Sequence, residues 1–261
     1  MPIVPTAIVP IPRNINRGLS SAKRSTLTSI LGVPRSDVDR RCRAITNQPL
    51  KSLIVMENVG PFRVTGLNTA VGSLRSILVD VKTHHPEVYD VLGTAGMACV
   101  RTIGNTRSLS NHSWGCAIDL SVGGKLDGLG SERRDGKTLA GLAAIAPYFH
   151  KAGWYWGVGF SSFEDGMHFE VADETIRKWH CDGSLGPEIQ RRKAAPRTLS
   201  IGDRGCDVRH LQQALRRHGY DINPDGIFGP LTHATVMDYQ ATYGMLADGI
   251  VGARTKARIS I

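Results

Sequence analysis

The sequence of 261 residues lacks several features that mark particular classes of protein. It contains no run of 18 apolar residues, so we expect no membrane-spanning helix. The five cysteines are odd in number and include no Cys-x-x-Cys pair, so we expect no disulfide framework and synthesis in a reducing cytoplasm. The amino-terminal stretch MPIVPTAIVPIPRN has no basic residue before its apolar run, and its prolines break any helix. We therefore expect no secretion signal there.

Aromatic side chains are scarce at 6%, and charge of one sign dominates, with a formal net charge of +9. The excess is concentrated in residues 1–45, which hold eight basic residues against two acidic ones. Such a chain favours an acidic partner: nucleic acid, an anionic membrane surface or an anionic wall polymer. No nucleic-acid-binding module or regular aromatic interleaving accompanies the basic residues, so we do not expect nucleic acid. We expect residues 1–45 to form a basic, proline-containing arm that contacts an anionic surface, with a simply solvated arm as the alternative.

What the sequence does contain is typical of a soluble globular protein, with 41% apolar and 21% charged residues. Its length allows one sizeable core and a small extra domain. Apolar residues at helical spacing in GLNTAVGSLRSILVDVKTHHP predict a helix that ends before Pro86, and KTLAGLAAIAPYFHKAG predicts a second. The stretches TAGMACVRTI, AIDLSV and GMHFEV are typical of strands.

The carboxy-terminal part of the chain contains an internal repeat. DGIFGPLT at 225–232 returns as DGIVGART at 248–255, and short amphipathic segments around it predict a bundle of three helices. Residues 198–259, with their G-D-x-G-x-x-V-x-x-L-Q opening, closely resemble the peptidoglycan-binding-domain-1 family, although Tyr239 stands where phenylalanine is usual. The resemblance implies a module that binds the glycan and peptide stems of bacterial peptidoglycan. A helical dimerisation or docking domain is the alternative.

The stretch SLSNHSWGCAIDL places a histidine and an aspartate seven residues apart, around a glycine and ahead of a strand. A carboxylate entering a core strand needs a salt bridge, a hydrogen-bonded pair or a metal. His112 and Asp119, together with His168, offer two imidazoles and a carboxylate, which suits zinc with a fourth position left for water. Because residues seven apart on an extended chain point oppositely, a turn at Gly115 must bring His112 back toward Asp119.

The same stretch resembles the M15 zinc peptidases, the family of D-Ala-D-Ala carboxypeptidases and L-Ala-D-Glu endopeptidases. It reproduces their S-x-H-x-x-G-x-A-x-D motif, and GWYWGVGFSSFEDGMHFEV resembles their second block. The resemblance covers roughly residues 60–182. It implies an α+β fold, an antiparallel sheet with flanking helices of the hedgehog/DD-peptidase type, to which the carboxy-terminal three-helix bundle is added. It also implies Zn²⁺ held by His112, Asp119 and His168.

Three further residues are expected to have roles in this site. Asp165 stands at the position of the general base, with Glu164 as the neighbouring alternative. Glu170 shares a strand face with His168 and is expected to orient that ligand rather than to bind the metal. Arg101 would stabilise an oxyanion or hold a substrate carboxylate, unless it forms only a surface ion pair or Arg107 serves instead.

Ser110 completes the predicted site, with a substrate contact and a hydrogen bond that orders its loop as equal alternatives.

The sequence thus predicts a basic arm at 1–45, a zinc peptidase domain at 46–182, a linker at 183–197 and a peptidoglycan-binding domain at 198–261. We expect a monomeric, endolysin-like enzyme that hydrolyses a stem amide with a zinc-bound water, as an endopeptidase. The alternatives are a D-Ala-D-Ala carboxypeptidase of wall remodelling and a non-catalytic wall-binding protein. Without an export signal, it would be made in the host cytoplasm and reach the wall after membrane permeabilisation.

Overall fold

The computed structural model describes residues 3–104, 106–128, 135–190 and 197–261. Two compact units divide the chain: Met1–Ile176 with Ser184–Ile189, and Arg177–Gly183 with Gln190–Ile261. Of the predicted linker, residues 191–196 lie outside the described part. The domain boundaries predicted from the sequence stay predictions.

Helices and strands alternate irregularly along the chain, as in α+β proteins. The strands are β1 Ile8–Pro10, β2 Ile54–Asn58, β3 Arg63–Leu67, β4 Leu92–Gly96, β5 Ala117–Val122, β6 Lys125–Leu126, β7 Lys137–Leu139, β8 Trp154–Trp156 and β9 His168–Val171. The α-helices are α1 Arg24–Leu31, α2 Gln48–Lys51, α3 Asn68–His84, α4 Pro86–Tyr89, α5 Ala140–Lys151, α6 Asp173–Asp182, α7 Pro187–Gln190, α8 Cys206–Arg217, α9 Pro230–Thr242 and α10 Ala253–Ile259. Short 3₁₀ helices occupy Asn111–Trp114 and Gly157–Gly159.

An antiparallel sheet of order β4-β5-β9-β8, with β6 also paired to β5, organises the first unit. Its central strand β5 carries buried residues at all but one position, because both faces of the sheet are covered. Helix α5 packs on this sheet, and α3 packs on α5 and on the β2–β3 hairpin. The rings of Phe149 on α5 and Phe169 on β9 lie 4.3 Å apart in this core. The predicted antiparallel α+β class is confirmed.

Strand β4 is shorter than the sequence pattern suggested. TAGMACVRTI predicted a strand, but the strand ends at Gly96, which has a φ of +119° beside an irregularity in the β4–β5 register. Beyond it the backbone finds other partners, since Ala98 N–H donates to the Thr65 carbonyl and Cys99 N–H to the His112 carbonyl. The segment after β4 is therefore bound to the loop that carries His112.

The segment predicted as a basic arm takes part in the first unit. Strand β1 pairs antiparallel with β7, and Leu27 and Leu31 on α1 are fully buried. Two of its basic residues are paired locally, Arg35 with Asp37 and the guanidinium of Arg43 with Asp39. The contact of this segment with an anionic surface stays a prediction.

The second unit contains α8, α9 and α10 around one apolar core that includes Leu211, Phe228 and Tyr239. The sequence repeat appears as two copies of one hydrogen-bond network. In the first copy, the buried Gln212 amide donates to Asp225, the Ile227 carbonyl and Thr232, and accepts from Gly226 N–H.

The second copy repeats this pattern around Gln240. Its amide donates to Asp248, the Ile250 carbonyl and Thr255, and it accepts from Gly249 N–H. Each buried glutamine thus satisfies the turn of a D-G-I segment, which explains why the repeat keeps aspartate, glycine and threonine at fixed spacing.

The expectation of no disulfides is wrong. Cys42 pairs with Cys99, and Cys181 pairs with Cys206, with Cα–Cα distances of 5.1 and 4.9 Å. Cys116 is the free cysteine and is buried. Partners 57 and 25 residues apart are brought together by tertiary contacts, which the count and spacing of cysteines do not reveal. The odd total, which argued against disulfides, results from the unpaired Cys116.

No helix within the described residues combines the length and apolar character that crossing a bilayer requires.

Candidate metal centre

Three buried side chains from separate parts of the first unit converge on one point. Asp119 Oδ1 lies 3.2 Å from His112 Nε2 and 3.1 Å from His168 Nδ1, and the two ring nitrogens lie 3.3 Å apart. These atoms form the candidate metal-binding group among the described residues. Ligands about 2.0–2.1 Å from a tetrahedral metal lie about 3.3 Å from one another, so the three atoms fit zinc without rearrangement.

The sheet register places two of these ligands. Asp119 on β5 lies directly opposite His168 on β9, and directly opposed residues of an antiparallel pair project from the same face. Two positions along, Ala117 lies opposite Glu170 on that face. The methyl group of Ala117 is the smallest side chain that keeps strand geometry, which leaves room beside the metal ligands for the carboxylate of Glu170.

The turn at Gly115 places the third ligand. His112 belongs to the 3₁₀ helix Asn111–Trp114, and Gly115 ends that helix with a φ of +66°. A Cβ at residue 115 would lie 2.8 Å from the backbone nitrogen of Leu67 and 3.1 Å from the Cα of Gly66. Both the left-handed conformation and the contact with β3 therefore require glycine. The turn returns the chain into β5 with His112 facing Asp119.

Hydrogen bonds fix which ring nitrogen of each histidine faces the centre. His112 Nδ1 lies 2.8 Å from the Met97 carbonyl, which only accepts, so Nδ1 carries a proton and Nε2 is the atom that faces the centre. His168 Nε2 lies 2.9 Å from Glu170 Oε2, so the carboxylate holds the proton there and Nδ1 faces the centre. Both rings are thus oriented for metal binding.

The electrostatics of the centre favour a positive charge. Burial opposes the charged form of His168, but hydrogen bonds with Asp119 and Glu170 outweigh it and raise its pKa to about 10. Burial likewise opposes ionisation of Asp119, and hydrogen bonds with His112 and His168 nevertheless bring the pKa of this carboxyl well below its usual range. A buried point that stabilises a proton between two carboxylates is equally suited to a metal cation.

Glu170 is the most completely bonded carboxylate near the centre. It is 1% exposed and accepts hydrogen bonds from Ser21 Oγ, Ala22 N–H and Asn111 Nδ2 as well as facing His168. Burial alone would raise the pKa of Glu170, but the hydrogen bonds lower it by more than burial raises it. The pKa therefore lies below its usual value and the carboxylate stays ionised. The expected role of orienting His168 fits this geometry.

Asp165 lies close enough to the centre to respond to the charges of His168, Asp119 and His112. Its Oδ1 atom is buried without a hydrogen-bond partner among the described residues. Burial, the largest influence, raises the pKa of this carboxyl to about 6. An unpaired carboxylate oxygen with a pKa near neutrality is what a general base needs.

The neighbouring candidate, Glu164, is engaged elsewhere. Its Oε2 accepts a hydrogen bond from Gly136 N–H at 3.0 Å, on the loop before β7. This contact favours Asp165 over Glu164 as the base.

Arg101 lies in the segment after β4, and Ser110 directly precedes the 3₁₀ helix that carries His112. Ser110 N–H donates to the Arg101 carbonyl at 3.0 Å, so the two residues are adjacent. Within the described part of the chain, the guanidinium of Arg101 has neither a hydrogen bond nor an ion pair, and Ser110 Oγ has no hydrogen bond. The Arg101 guanidinium therefore remains available for a substrate, whereas Ser110 is 6% exposed; Arg107 is exposed.

Sequence reasoning missed four contributors: the Met97 carbonyl, Ser21, Asn111 and the backbone of Ala22. Backbone carbonyl and N–H groups occur at nearly every residue, so the residue type does not reveal which of them take part in a site. Serine and asparagine are common in loops. Only Asn111, inside the motif and next to His112, could have been noticed from its position.

Comparisons with known proteins agree with this geometry. A model of the M15 peptidases, described as D-alanyl-D-alanine carboxypeptidase, matches residues 104–171, and one described as a peptidoglycan binding domain matches residues 204–259. Residues 104–171 are thus similar to M15 peptidases, and residues 204–259 are similar to peptidoglycan-binding domains. The first of these matched segments contains His112, Asp119 and His168 together with Asp165 and Glu170.

Curated relatives are similar over limited lengths. The zinc D-Ala-D-Ala carboxypeptidase of Streptomyces albus G is 45% identical over 67 residues, 24% of this chain and 26% of that protein. The spore cortex-lytic enzyme of Halalkalibacterium halodurans is 40% identical over 62 residues, 23% of this chain and 19% of that protein. The chain therefore spans about a quarter or less of the length of these relatives.

Among solved structures, the endolysin of Burkholderia phage AP3 is 45% identical, with 25% of each chain covered and a TM-score of 0.25. The SleB N-terminal domain is 32% identical, with 26% of this chain and 94% of that chain covered and a TM-score of 0.25.

Proposed function

We propose that this chain is a zinc-dependent peptidase that hydrolyses an amide bond in the peptide stem of peptidoglycan. The observation that carries the proposal is the convergence of His112, Asp119 and His168 within an M15 region, beside the unpaired carboxylate of Asp165. When bound, zinc would supply Lewis acidity that polarises an amide carbonyl and eases deprotonation of water. His112, Asp119 and His168 would hold it.

The residues around the centre would carry the proton and the substrate. Asp165 accepts a proton from the attacking water through its unpaired Oδ1 and delivers it to the leaving amine. Arg101 donates charge-assisted hydrogen bonds to the oxyanion or to a carboxylate of the stem. Ser110 adds a neutral hydrogen bond to the substrate. The second unit would hold the enzyme on the wall and so raise its effective concentration at the stem peptides.

Two bonds are candidates for cleavage. We favour a bond inside the stem, which makes the enzyme an endopeptidase, and the match to the D-alanyl-D-alanine carboxypeptidase model supports the carboxypeptidase alternative. Mass spectrometry of muropeptides after digestion of purified peptidoglycan distinguishes them. New amino termini inside the stem indicate an endopeptidase, whereas loss of terminal D-Ala alone indicates a carboxypeptidase.

The metal assignment is tested by substitution with a matched control. His112→Ala, Asp119→Ala and His168→Ala should each lose zinc and hydrolysis together, as measured by metal analysis and muropeptide release. His84→Ala removes an exposed histidine whose ring contacts the Asp80 carbonyl and Tyr148, and it should keep both zinc and hydrolysis. Hydrolysis at the wild-type rate by a metal-free ligand variant would refute the proposal.

The base is tested with the two neighbouring carboxylates. Asp165→Asn should keep zinc but lose about 10²–10⁴ in kcat on a soluble stem peptide. Glu164→Gln is the matched control and should stay near the wild-type rate. The reverse result would transfer the role to Glu164.

The wall-binding role is tested by pull-down of purified sacculi. The full chain should sediment with them, whereas a chain ending at residue 197 should stay in solution. The shortened chain carries Cys181→Ser, because Cys206 would be missing. Equal sedimentation of the two would show that the second unit is not the anchor.

A further inference from the structure

Residues 20–23 at the start of α1, here called the amino-terminal strap, reach the candidate metal centre. Ser21 Oγ donates to Glu170 Oε1 at 2.7 Å, and Ala22 N–H donates to the same oxygen at 2.8 Å. The other oxygen, Oε2, accepts from Asn111 Nδ2 at 2.8 Å and faces His168 Nε2 at 2.9 Å. Each carboxylate oxygen thus has two partners, which fixes the plane of the carboxylate.

The strap is itself anchored at both ends and in the middle. Ser20 N–H donates to Glu174 at 2.8 Å, and Lys23 N–H donates to Asp173 at 2.9 Å. Asn111 Nδ2 also donates to the Ala22 carbonyl at 3.0 Å, which joins the strap to the loop that carries His112. The strap therefore contacts both strand β9 and the motif loop around the centre.

The fixed carboxylate of Glu170 in turn orients the ring of His168. Because Glu170 Oε2 holds the Nε2 side of the ring, the orientation of this carboxylate sets the direction in which Nδ1 points. Nδ1 is the atom that meets Asp119 and His112. A Glu170 carboxylate free to rotate would leave the ring of His168 without a fixed direction. Ser21 and Ala22 lie outside residues 104–171, so the matched M15 region contains only Asn111 of the three donors that prevent this rotation.

We propose that the amino-terminal strap is a positioning element of the metal centre, acting on Glu170 through Ser21 Oγ and Ala22 N–H and supported by Asn111, which bonds to both the strap and Glu170. The inference rests on the metal centre of the proposed function. It assigns a role to a segment that the charge pattern presents only as a basic arm. It also implies that removing the strap would impair metal binding even though every ligand remained.

The test measures metal affinity in the full-length chain. Ser21→Ala and Asn111→Ala should each weaken zinc binding by about 10–100-fold in competition with a chromophoric chelator. The visible spectrum of the Co²⁺-loaded variants should shift, because it reports the geometry of the ligands. Ser21→Thr keeps a hydroxyl at the same position and should restore affinity toward the wild-type value.

Ser29→Ala provides the matched control. Ser29 lies on α1, and its hydroxyl bonds only to the Thr26 carbonyl, so its loss should leave zinc affinity and the Co²⁺ spectrum unchanged. Wild-type affinity and spectrum in both Ser21→Ala and Asn111→Ala would overturn the inference, as would an equal loss in Ser29→Ala. A wild-type chain that binds neither Zn²⁺ nor Co²⁺ would instead refute the proposed function, and the inference with it.

Discussion

Substitution of Gly115 by alanine should destabilise the fold in two ways, through the left-handed backbone conformation and through a clash with strand β3. Gly115 has a φ of +66°, and its backbone packs against β3. Gly124 has a similar φ of +75°, but a Cβ there would have no atom within 4 Å. Alanine in the left-handed region costs about 1–2 kcal/mol at either position. Gly124→Ala therefore measures the conformational cost alone.

The additional cost at residue 115 comes from the backbone of the neighbouring strand. The new methyl carbon would lie 2.8 Å from Leu67 N and 3.1 Å from Gly66 Cα, neither of which can rotate away. Overpacking of this kind costs about 1–3 kcal/mol. We therefore expect Gly115→Ala to lower the free energy of unfolding by about 2–5 kcal/mol, against about 1–2 kcal/mol for Gly124→Ala.

Denaturant titration of the two metal-free variants gives these free energies, and chelator competition gives their zinc affinities. Gly115→Ala should also weaken zinc binding, because relief of the clash moves the turn between His112 and Asp119. Gly124→Ala should bind zinc like the wild type. Equal losses of stability in the two variants would refute the argument from close approach, and unchanged zinc affinity in Gly115→Ala would refute its link to the ligands.

Three further predictions concern other parts of the chain. In the metal-free protein, carbon-detected NMR should show Asp165 ionising with a midpoint near pH 6 as the pH rises. Added Zn²⁺ should lower that pKa, because a nearby cation favours the carboxylate. A midpoint near pH 4 without metal would contradict the burial of this carboxyl. Gln240→Ala leaves the Gly249 N–H and Asp248 without their partner, so denaturant titration should show a loss of about 2–4 kcal/mol. Reduction of the Cys181–Cys206 disulfide should lower the stability of the second unit by about 2–4 kcal/mol, and an unchanged thermal midpoint would contradict a structural role.

Local sequence patterns indicated the elements and the metal-binding motif. The apolar spacing before Pro86 predicted α3, and AIDLSV coincides with β5. The repeat of D-G-I segments indicated the small helical unit. These predictions succeed because helix and strand periodicity, glycine turns and short ligand spacings are encoded within a few turns of chain. The family motif even brought together three ligands from two blocks some 50 residues apart.

Tertiary structure decided the interactions that join distant segments. The pairing of Cys42 with Cys99, the burial that raises the pKa of Asp165, and the contact of Ser21 with Glu170 depend on how elements pack. None of these leaves a periodic or short-range trace in the sequence. The charge of residues 1–45 indicated a basic arm that contacts an anionic surface or is simply solvated. The backbone N–H of Ala22 in this segment donates to the buried carboxylate of Glu170, and the type of residue 22 gives no sign of this contact. The sequence by itself determined the three candidate metal ligands and the repeat, because these depend on side-chain chemistry at fixed local spacing. Only the packed chain determined what holds those ligands in place, because that depends on backbone groups and long-range contacts.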